Sequence, residues 1–395
     1  MDLATFQRLF SGDGQAALAA AVELHPTPAT LLACHTRLRK HFADDLVKSA
    51  LETVLLRRKA TDKFTRSDQM YFTREALEQA SGEVISTYRA QRFAGFKRVG
   101  DLCCGIGGDA IGLASVADVV AVDADPLRLV MAAENLRAYG RQRVTFVCDN
   151  VLTMPIRELD AAFLDPDRRV GGRRHLRIRD YAPPLDAVRA RLPAGFPLAV
   201  KVAPGAPWDE LRTFDAEAEF ISVDGELKEC VLWFGPLTTA GRRATVLPVG
   251  ETLAANSPAD AAEPGPPLAF LYDPDPAVVR SGLVADLSRH LAARPIDAEI
   301  AYLTSDHFVP TPFAQVYRIE DAIPFRARQL GERLRSMKVG KVTITKRGSA
   351  VDVDELRRRW HLQGPEARTV ILTRVLDKQY ALIATPHGNG PDPID

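Results

Sequence analysis

At 395 residues, with 51 basic and 51 acidic side chains, the chain is too long for one average domain and carries no net charge. That balance excludes a general attraction of the whole molecule to nucleic acid, so any such binding falls to local patches. Hydrophobic content of 46% with 26% charged residues is ordinary for a soluble globular protein. No apolar run approaches the ~20 residues of a membrane helix, and the opening MDLATFQRLFSGDG lacks the basic start and apolar stretch of a signal peptide.

Five cysteines, Cys34, Cys103, Cys104, Cys148 and Cys230, are scattered without a C-x-x-C pair. The pattern fits a reducing compartment, taken as the cytoplasm, and argues against a structural zinc site. In the first 92 residues Leu31, Leu38, Leu46, Leu51, Val54 and Leu55 recur at helical spacing, and residues 74–92 continue the pattern. A helical cap on the next domain, without chemistry of its own, is the expectation for this region.

From residue 99 the texture changes to short apolar runs at 99–104, 119–123, 144–149, 161–165 and 198–203, with helical stretches at 126–139 and 208–214. Such alternation predicts a parallel sheet covered on both faces. Runs at 219–223 and 230–234 read as an antiparallel edge. Residues 250–267, rich in Pro, Ala and Gly, read as a linker. Beyond it, a strand at 268–272, a helix at 277–291 and strands at 299–303 and 314–319 make one small module. A strand at 341–346, a helix at 353–360 and strands at 369–375 and 380–384 make another. The expected division is 1–92 helical, 93–250 α/β, 251–327 linker and first module, and 328–395 second module.

The run VGDLCCGIGGDAIGLA, residues 99–114, leads an apolar strand into Gly105, Gly107 and Gly108 and then into a helix. Glycines here permit positive φ and close approach of the backbone to a ligand. Gly105-x-Gly107-x-x-Ala110 alone also satisfies the dinucleotide fingerprint. Asp101 separates the two readings. A carboxylate four residues before Gly105 repels a pyrophosphate seated on the helix N-terminus, whereas it suits the cationic methionine end of S-adenosylmethionine. Asp123 closes the second strand, where a carboxylate accepts ribose hydroxyls. Asp149 closes the third, where an acid takes an adenine amino group. Each Asp alone is equally well a helix cap or turn residue; three in order after a glycine turn are more specific. The expected cofactor contacts are Asp101, Cys103, Gly105, Gly107, Asp123, Asp149 and Asn150. Cys103 and Cys104 read as small residues of the turn, since nothing nearby completes a nucleophile or metal set.

DLCCGIGGDAIGLA followed by VVAVDADPLRLVMAAENLRAYG resembles the cofactor half of class I methyltransferases, particularly the RNA cap guanine-N2 methyltransferase (trimethylguanosine synthase) group. The whole chain is similar in arrangement to bacterial methyltransferases with a THUMP-like C-terminal domain. The resemblance implies a Rossmann-like α/β methyltransferase domain behind an N-terminal helical region, followed by α+β modules of ferredoxin-like and THUMP-like type. It implies S-adenosylmethionine as cofactor and RNA, tRNA or rRNA, as substrate, with neither metal nor membrane involved.

In class I methyltransferases that act on amino nitrogens, the fourth strand ends in (Asn/Asp/Ser)-Pro-Pro-aromatic. Here Asp165-Pro166-Asp167-Arg168-Arg169 stands in that place. Asp165 and Pro166 match; the second proline and the aromatic do not. Methyl transfer is an in-line displacement governed by placement. Asp165 can accept a hydrogen bond or a proton from an amine, and Asp167 can do the same or orient Arg168 and Arg169. Alternatively, Asp165, Lys201 and Glu229 resemble three members of the Lys-Asp-Lys-Glu tetrad of ribose 2′-O-methyltransferases, in which a lysine acts as base toward a hydroxyl. For the missing first lysine the chain offers only Arg74 and the distant Lys63. The plain alternatives are a helix cap for Asp165 and a strand-end lysine reaching water for Lys201.

Arg168, Arg169, Arg173, Arg174, His175, Arg177 and Arg179 follow, with Gly171 and Gly172 among them. Guanidinium forks match phosphate oxygens, so Pro166, Arg168, Arg169, Arg173 and Arg174 are the expected substrate contacts, against the reading of a solvated loop. A second patch runs from Arg326 to Arg359 and includes Arg328, Arg333, Arg335, Lys338 and Lys341. Three functions stay open: an RNA methyltransferase, with a base nitrogen favoured; a ribose 2′-O-methyltransferase; and a non-catalytic RNA-binding protein that keeps a cofactor pocket. A small-molecule methyltransferase would leave the tail unexplained.

Overall fold

The computed structural model describes residues 2–388 apart from 157, 171, 172, 175 and 258, with the backbone alone at 169, 170, 173 and 174. The chain divides into two compact units, residues 1–217 with 230–239 and residues 218–229 with 240–395.

In the first unit the N-terminal region forms α1 (Leu3–Arg8), α2 (Gly12–Glu23), α3 (Leu31–Leu38), α4 (Asp44–Lys59), α5 (Arg74–Gln79) and α6 (Glu83–Ala90). Side-chain caps begin several of them. Asp2 accepts from the Thr5 amide, Ser11 from Gly14 and Thr73 from Ala76, each satisfying an amide that the first turn leaves unbonded.

There follow β1 (Arg98–Leu102), α7 (Gly108–Leu113), β2 (Asp118–Asp123), α8 (Pro126–Ala138), β3 (Val144–Cys148) and β4 (Ala161–Leu164). The two-residue strands β5 (Arg169–Val170) and β6 (Arg173–Arg174), then α9 (Leu185–Arg189), β7 (Leu198–Val202), α10 (Trp208–Leu211), β8 (Glu217–Val223) and β9 (Glu226–Phe234) complete the series. The five strands expected between 99 and 203 all form, and they pair in parallel in the order β3-β2-β1-β4-β7. Residues 230–234 of β9 join β7 antiparallel, as expected, but β9 is not an edge strand of the sheet. Every residue of β4 and β7 is buried, which explains their continuous apolar character. Lys201 is the exception in composition. Because β2 and β4 flank β1 on opposite sides, the strand order reverses at β1, and a crevice opens beyond its carboxyl end.

The N-terminal helices belong to the same compact unit as this sheet, so the boundary expected at 92/93 separates no independent body. Buried polar ties explain why. The Asn135 side chain accepts from the Tyr71 amide at 2.7 Å and donates to the carbonyls of Tyr71 and Ile106. Arg92 forks onto Glu217 while its guanidinium lies 4.3 Å from the Trp233 ring. Gly112 lets α6 and α7 touch, since a Cβ there would sit 2.3 Å from the Ser86 carbonyl oxygen.

In the second unit β8 runs parallel to β10 (Arg242–Leu247), which pairs antiparallel with β11 (Glu251–Ala255). Asp224 and Gly225, both at positive φ, form the two-residue turn after β8. β11 corrects the reading of 250–267 as a linker throughout: composition flagged a break, but residues 251–255 find a partner edge in β10.

The remaining elements are β12 (Phe270–Pro274), α11 (Pro276–Ser281), α12 (Val284–His290), β13 (Arg294–Pro295), β14 (Leu303–Ser305), β15 (Ala314–Pro324), α13 (Ala327–Ser336), β16 (Val339–Lys346), α14 (Val353–Trp360), β17 (Glu366–Val375) and β18 (Lys378–His387). The helix expected at 277–291 is broken in two at Gly282, φ +74. The strand expected at 299–303 begins only at Leu303.

One sheet of order β13-β14-β12-β15-β18-β17-β16 takes strands from both small modules. β15 pairs with β12 on one edge and with β18 on the other. A cut at 327/328 would leave an 11-residue strand with a bare ladder edge, so the two modules share one structural frame. Leu330, Leu334, Leu356 and Trp360 from α13 and α14 pack with Val370, Leu372 and Ile383 of the sheet.

Gly112→Ala forces α6 and α7 apart, and the expected loss is about 1–3 kcal/mol of stability, read by urea unfolding of the intact chain. An unchanged midpoint would mean that the two helices separate freely.

Candidate active site

A cleft of about 490 Å³ opens at the carboxyl ends of the first unit's strands. Its wall is built from residues 103–106 of the glycine turn with Gly108 and Asp109, from Asp123, Ala124 and Arg128 after β2, and from residues 149–152 after β3. Residues 165–168 after β4, residues 182–184, and Ala76 with residues 78–80 at the end of α5 complete it.

Asp123 fixes the turn. Its Oδ2 accepts from the Gly105 amide at 2.8 Å and its Oδ1 from the Asp125 amide at 2.9 Å. Gly105 has φ +55, and a Cβ there would meet no atom within 4 Å while intruding on the cleft. Cys103 also has positive φ, +65, an uncommon conformation for a residue with a side chain. Burial pushes the Cys103 and Cys104 thiols up, so neither is a thiolate nucleophile at neutral pH. Asp149 accepts from the Asn150 amide at 2.7 Å and from the Thr153 hydroxyl at 3.3 Å.

Of the residues expected at the cofactor, Cys103, Gly105, Asp123, Asp149 and Asn150 line the cleft; Asp101 and Gly107 stand behind it. A Cβ at Gly107 would lie 2.7 Å from Leu136 Cδ1, so this glycine serves the packing of the turn on α8. Asp101 is fully buried, and neither carboxylate oxygen has a hydrogen-bond partner among the described residues. Burial first, and then the negative charges of Asp109 and Asp165, push its pKa well above the ordinary aspartate value. Asp109 forms a buried ion pair with Arg89 of α6, whose guanidinium lies 4.4 Å from the Phe163 ring. Beneath the cleft, the carboxyls of Asp101, Asp109 and Asp165 therefore outnumber the ammonium and guanidinium groups of Lys201 and Arg89. With Asp101 protonated the charges balance; a ligand bringing positive charge, as a sulfonium with an ammonium does, would favour its ionised form, whereas a pyrophosphate would oppose it.

At the reaction end, Lys201 Nζ donates to Asp165 Oδ2 at 2.7 Å and to the Gln79 carbonyl at 3.2 Å. Burial raises the Asp165 pKa, and Lys201 opposes that rise. Lys201 thus finds its partners inside the protein rather than in water. Asp167 is held by an exchange of backbone hydrogen bonds with Ala182, at 2.8 and 3.0 Å. Pro166 and Arg168 are on the wall. The side chains of Arg169, Arg173 and Arg174, and all of His175, Gly171 and Gly172, lie outside the described residues.

Of the ribose-type set, Asp165 and Lys201 touch, and Glu229 is a buried residue of β9 in the second unit. Lys63 does not supply the missing first lysine. Its Nζ donates to the carbonyls of Leu77, Glu78 and Ala80 at 2.8, 3.3 and 2.9 Å, which uses all three donors. In the C-terminal basic patch, Arg328, Arg333 and Arg359 pair with Glu332, Asp321 and Glu355, and Arg335 donates to the Trp360 carbonyl. Lys338 and Lys341 are exposed.

Sequence reasoning missed Glu78, Gln79, Ala80 and Arg89, and weighed Lys63 only as a ribose-type lysine. They fall in a region without any motif, and only folded contacts, 14 to 122 residues apart in sequence, bring them to or behind the cleft wall.

Residues 96–195 match the sequence model of the RNA cap guanine-N2 methyltransferase family. Residues 314–386 match the THUMP domain-like family, and residues 2–60 a domain of unknown function. Two uncharacterized S-adenosylmethionine-dependent methyltransferases of Mycobacterium tuberculosis are each 35% identical over 336 residues, 82% of this chain and 92% of theirs. The chain belongs to the S-adenosylmethionine-dependent methyltransferases. A crystal structure from Porphyromonas gingivalis W83 that carries a methyltransferase name shares the fold, with TM-score 0.75 at 20% identity over 95% of this chain and 99% of that one. The methyltransferase takes S-adenosylmethionine as its cofactor, and the expected Rossmann-like domain and THUMP-like tail are both present. The THUMP-like match starts at Ala314, the first residue of β15, ahead of the boundary expected at 328. No helix among the described residues is long and apolar enough to cross a membrane.

Asp123→Asn exchanges one carboxylate acceptor for a donor facing an amide. S-adenosylhomocysteine affinity, measured by calorimetry, is expected to fall by about 1.5–3 kcal/mol, with circular dichroism unchanged. Undiminished affinity would detach Asp123 from the cofactor site. Asp101 gives a separate test. From pH 3.8 up to its raised folded value, the folded chain holds a proton that the unfolded chain releases, so stability falls as pH rises. Asp101→Asn removes that slope, about 1.4 kcal/mol per pH unit for one proton. Urea midpoints of the ligand-free proteins at stepped pH should therefore diverge in favour of the variant as pH increases through the window.

Proposed function

We propose that this methyltransferase modifies RNA, tRNA or rRNA, at a base nitrogen, with Asp165 as the group that holds the acceptor. The observation that carries the reading is the state of Asp165 on the cleft wall. Lys201 engages Oδ2, which leaves Oδ1 as the edge for an acceptor N–H. Support for RNA comes from the family matches of residues 96–195 and 314–386, and from Arg168 beside Asp165, placed to meet a phosphate. On this reading residues 1–250 hold cofactor and acceptor, while residues 251–327 and 328–395 grip the RNA. The five free cysteines support the cytoplasm as its place of action.

The bound cofactor supplies an electrophilic methyl group from its sulfonium. An exocyclic amine is a weak nucleophile because its lone pair is delocalised into the ring. A hydrogen bond from the amine to Asp165 Oδ1 fixes its position and draws on the N–H. As the N–C bond forms, the departing proton passes to that carboxylate. The raised pKa of Asp165 makes it a better proton acceptor than an ordinary aspartate. Lys201 keeps the carboxylate in place, and Asp167 and Arg168 follow it on the cleft wall.

Purified protein with tritiated-methyl S-adenosylmethionine and total RNA from a strain lacking the gene, digested to nucleosides, tests the proposal. Label in a methylated base supports it. Asp165→Ala is then expected to lower transfer by ~10²–10⁴-fold, and the acid limb of the wild-type pH–rate profile is expected above the ordinary aspartate value. The Asp165 and Lys201 contact favours one second reading, ribose methylation. Label in 2′-O-methyl nucleosides would move the base role to Lys201 and Glu229. Cofactor binding without transfer to RNA would sink the proposal in both forms.

A further inference from the structure

The carbonyl end of α5 has an unusual environment. Residues 77–80 present four successive backbone carbonyls, and two lysines take all of them. Lys63 binds those of Leu77, Glu78 and Ala80, and Lys201 binds that of Gln79. A helix of six residues gains little from propensity alone. The negative end of α5 is instead held by ammonium groups from both sides, one of which also carries Asp165. Just beyond, Ser81 packs on the glycine turn: a Cβ added at Gly108 would lie 3.1 Å from the Ser81 carbonyl oxygen. The segment therefore sits between the cofactor turn and the reaction end. Its side chain at the reaction end is Gln79, whose Nε2 donates to Asp167 Oδ1 at 3.4 Å.

We infer that Gln79, from the N-terminal helical region, is a positioning residue of the transfer site: held at its backbone by Lys201, it orients Asp167 and so the pairing of Asp167 with Ala182 on the cleft wall. Asp167 and Ala182 exchange two backbone hydrogen bonds. A donor on the Asp167 carboxylate keeps this pair on the cleft wall. Gln79 acts through Asp167 and Arg168, not on the methyl group, so its effect falls on the acceptor side. The inference takes RNA as the acceptor and in that respect rests on the function proposed above.

The test compares Gln79→Glu and Gln79→Met, both close in size to glutamine. Methionine removes the donor; glutamate replaces it with a second carboxylate facing Asp167. S-adenosylhomocysteine affinity by calorimetry is expected within threefold of wild type for both. Transfer of tritiated methyl to total RNA from a strain lacking the gene is expected to fall about 10- to 100-fold in kcat/KM for Gln79→Glu at pH 8 and less for Gln79→Met. The glutamate variant should recover toward the methionine variant as pH drops and the two carboxyls come to share a proton. A merely structural role gives no such pH-dependent recovery.

Hydrogen exchange supplies a readout that needs no acceptor. The Asp167 and Ala182 amides are expected to lose at least tenfold protection in Gln79→Glu at pH 8 and to regain it at pH 5. If wild-type protein methylates no RNA, the proposed function fails, and the exchange result alone decides the role of Gln79. Wild-type-like protection of both amides in Gln79→Glu overturns the inference, whatever the activity.

Discussion

A lysine ammonium inside an apolar strand needs partners, and the way Lys201 finds them organises the reaction end of the cleft. An unpaired charge at that depth is costly. Asp165 meets it from just beyond β4 and the Gln79 carbonyl from α5. One buried cation thereby ties together a central strand, its neighbour and a helix contributed by the first 92 residues. Asp165 thus has one oxygen on the ion pair while the residue lines the cleft.

The cofactor end follows the same logic with opposite sign. The charge of Asp109 raises the cost of ionising both Asp101 and Asp165, and Arg89 answers only part of that charge. Asp101 is thus a buried carboxyl behind the turn that a cationic ligand would help to ionise. Asp123 adds order rather than bulk charge, because both of its oxygens bind backbone amides that shape the turn.

The N-terminal helices are as much a part of this site as the sheet. Arg89 comes from α6, the Asn135 tie reaches Tyr71, and Lys63 holds the end of α5. A region that reads as a plain helical cap supplies a wall of the cleft and half of its buried ion pairs. Gly108 and Gly112 make this contact possible by presenting bare backbone to Ser81 and Ser86.

The sequence by itself determined the local rules. Apolar runs bounded by acids gave the parallel strands, the glycine turn gave the mouth of the cleft, and Asp123, Asp149 and Asp165 could be placed because each ends a strand. These features are legible because strand period, turn chemistry and strand-end position are properties of neighbouring residues. Tertiary structure alone decided which groups face the ligand and which stand behind it: Asp101 and Gly107 lie behind the wall, while Gln79 and Ala80 are on it. It also decided that β11 joins β10 despite a linker-like composition, and that β15 unites two modules in one sheet. The reason is that burial and charge compensation depend on residues far apart in the chain. Lys201 looks alike in sequence whether it reaches water or Asp165; only the strand beside it settles which.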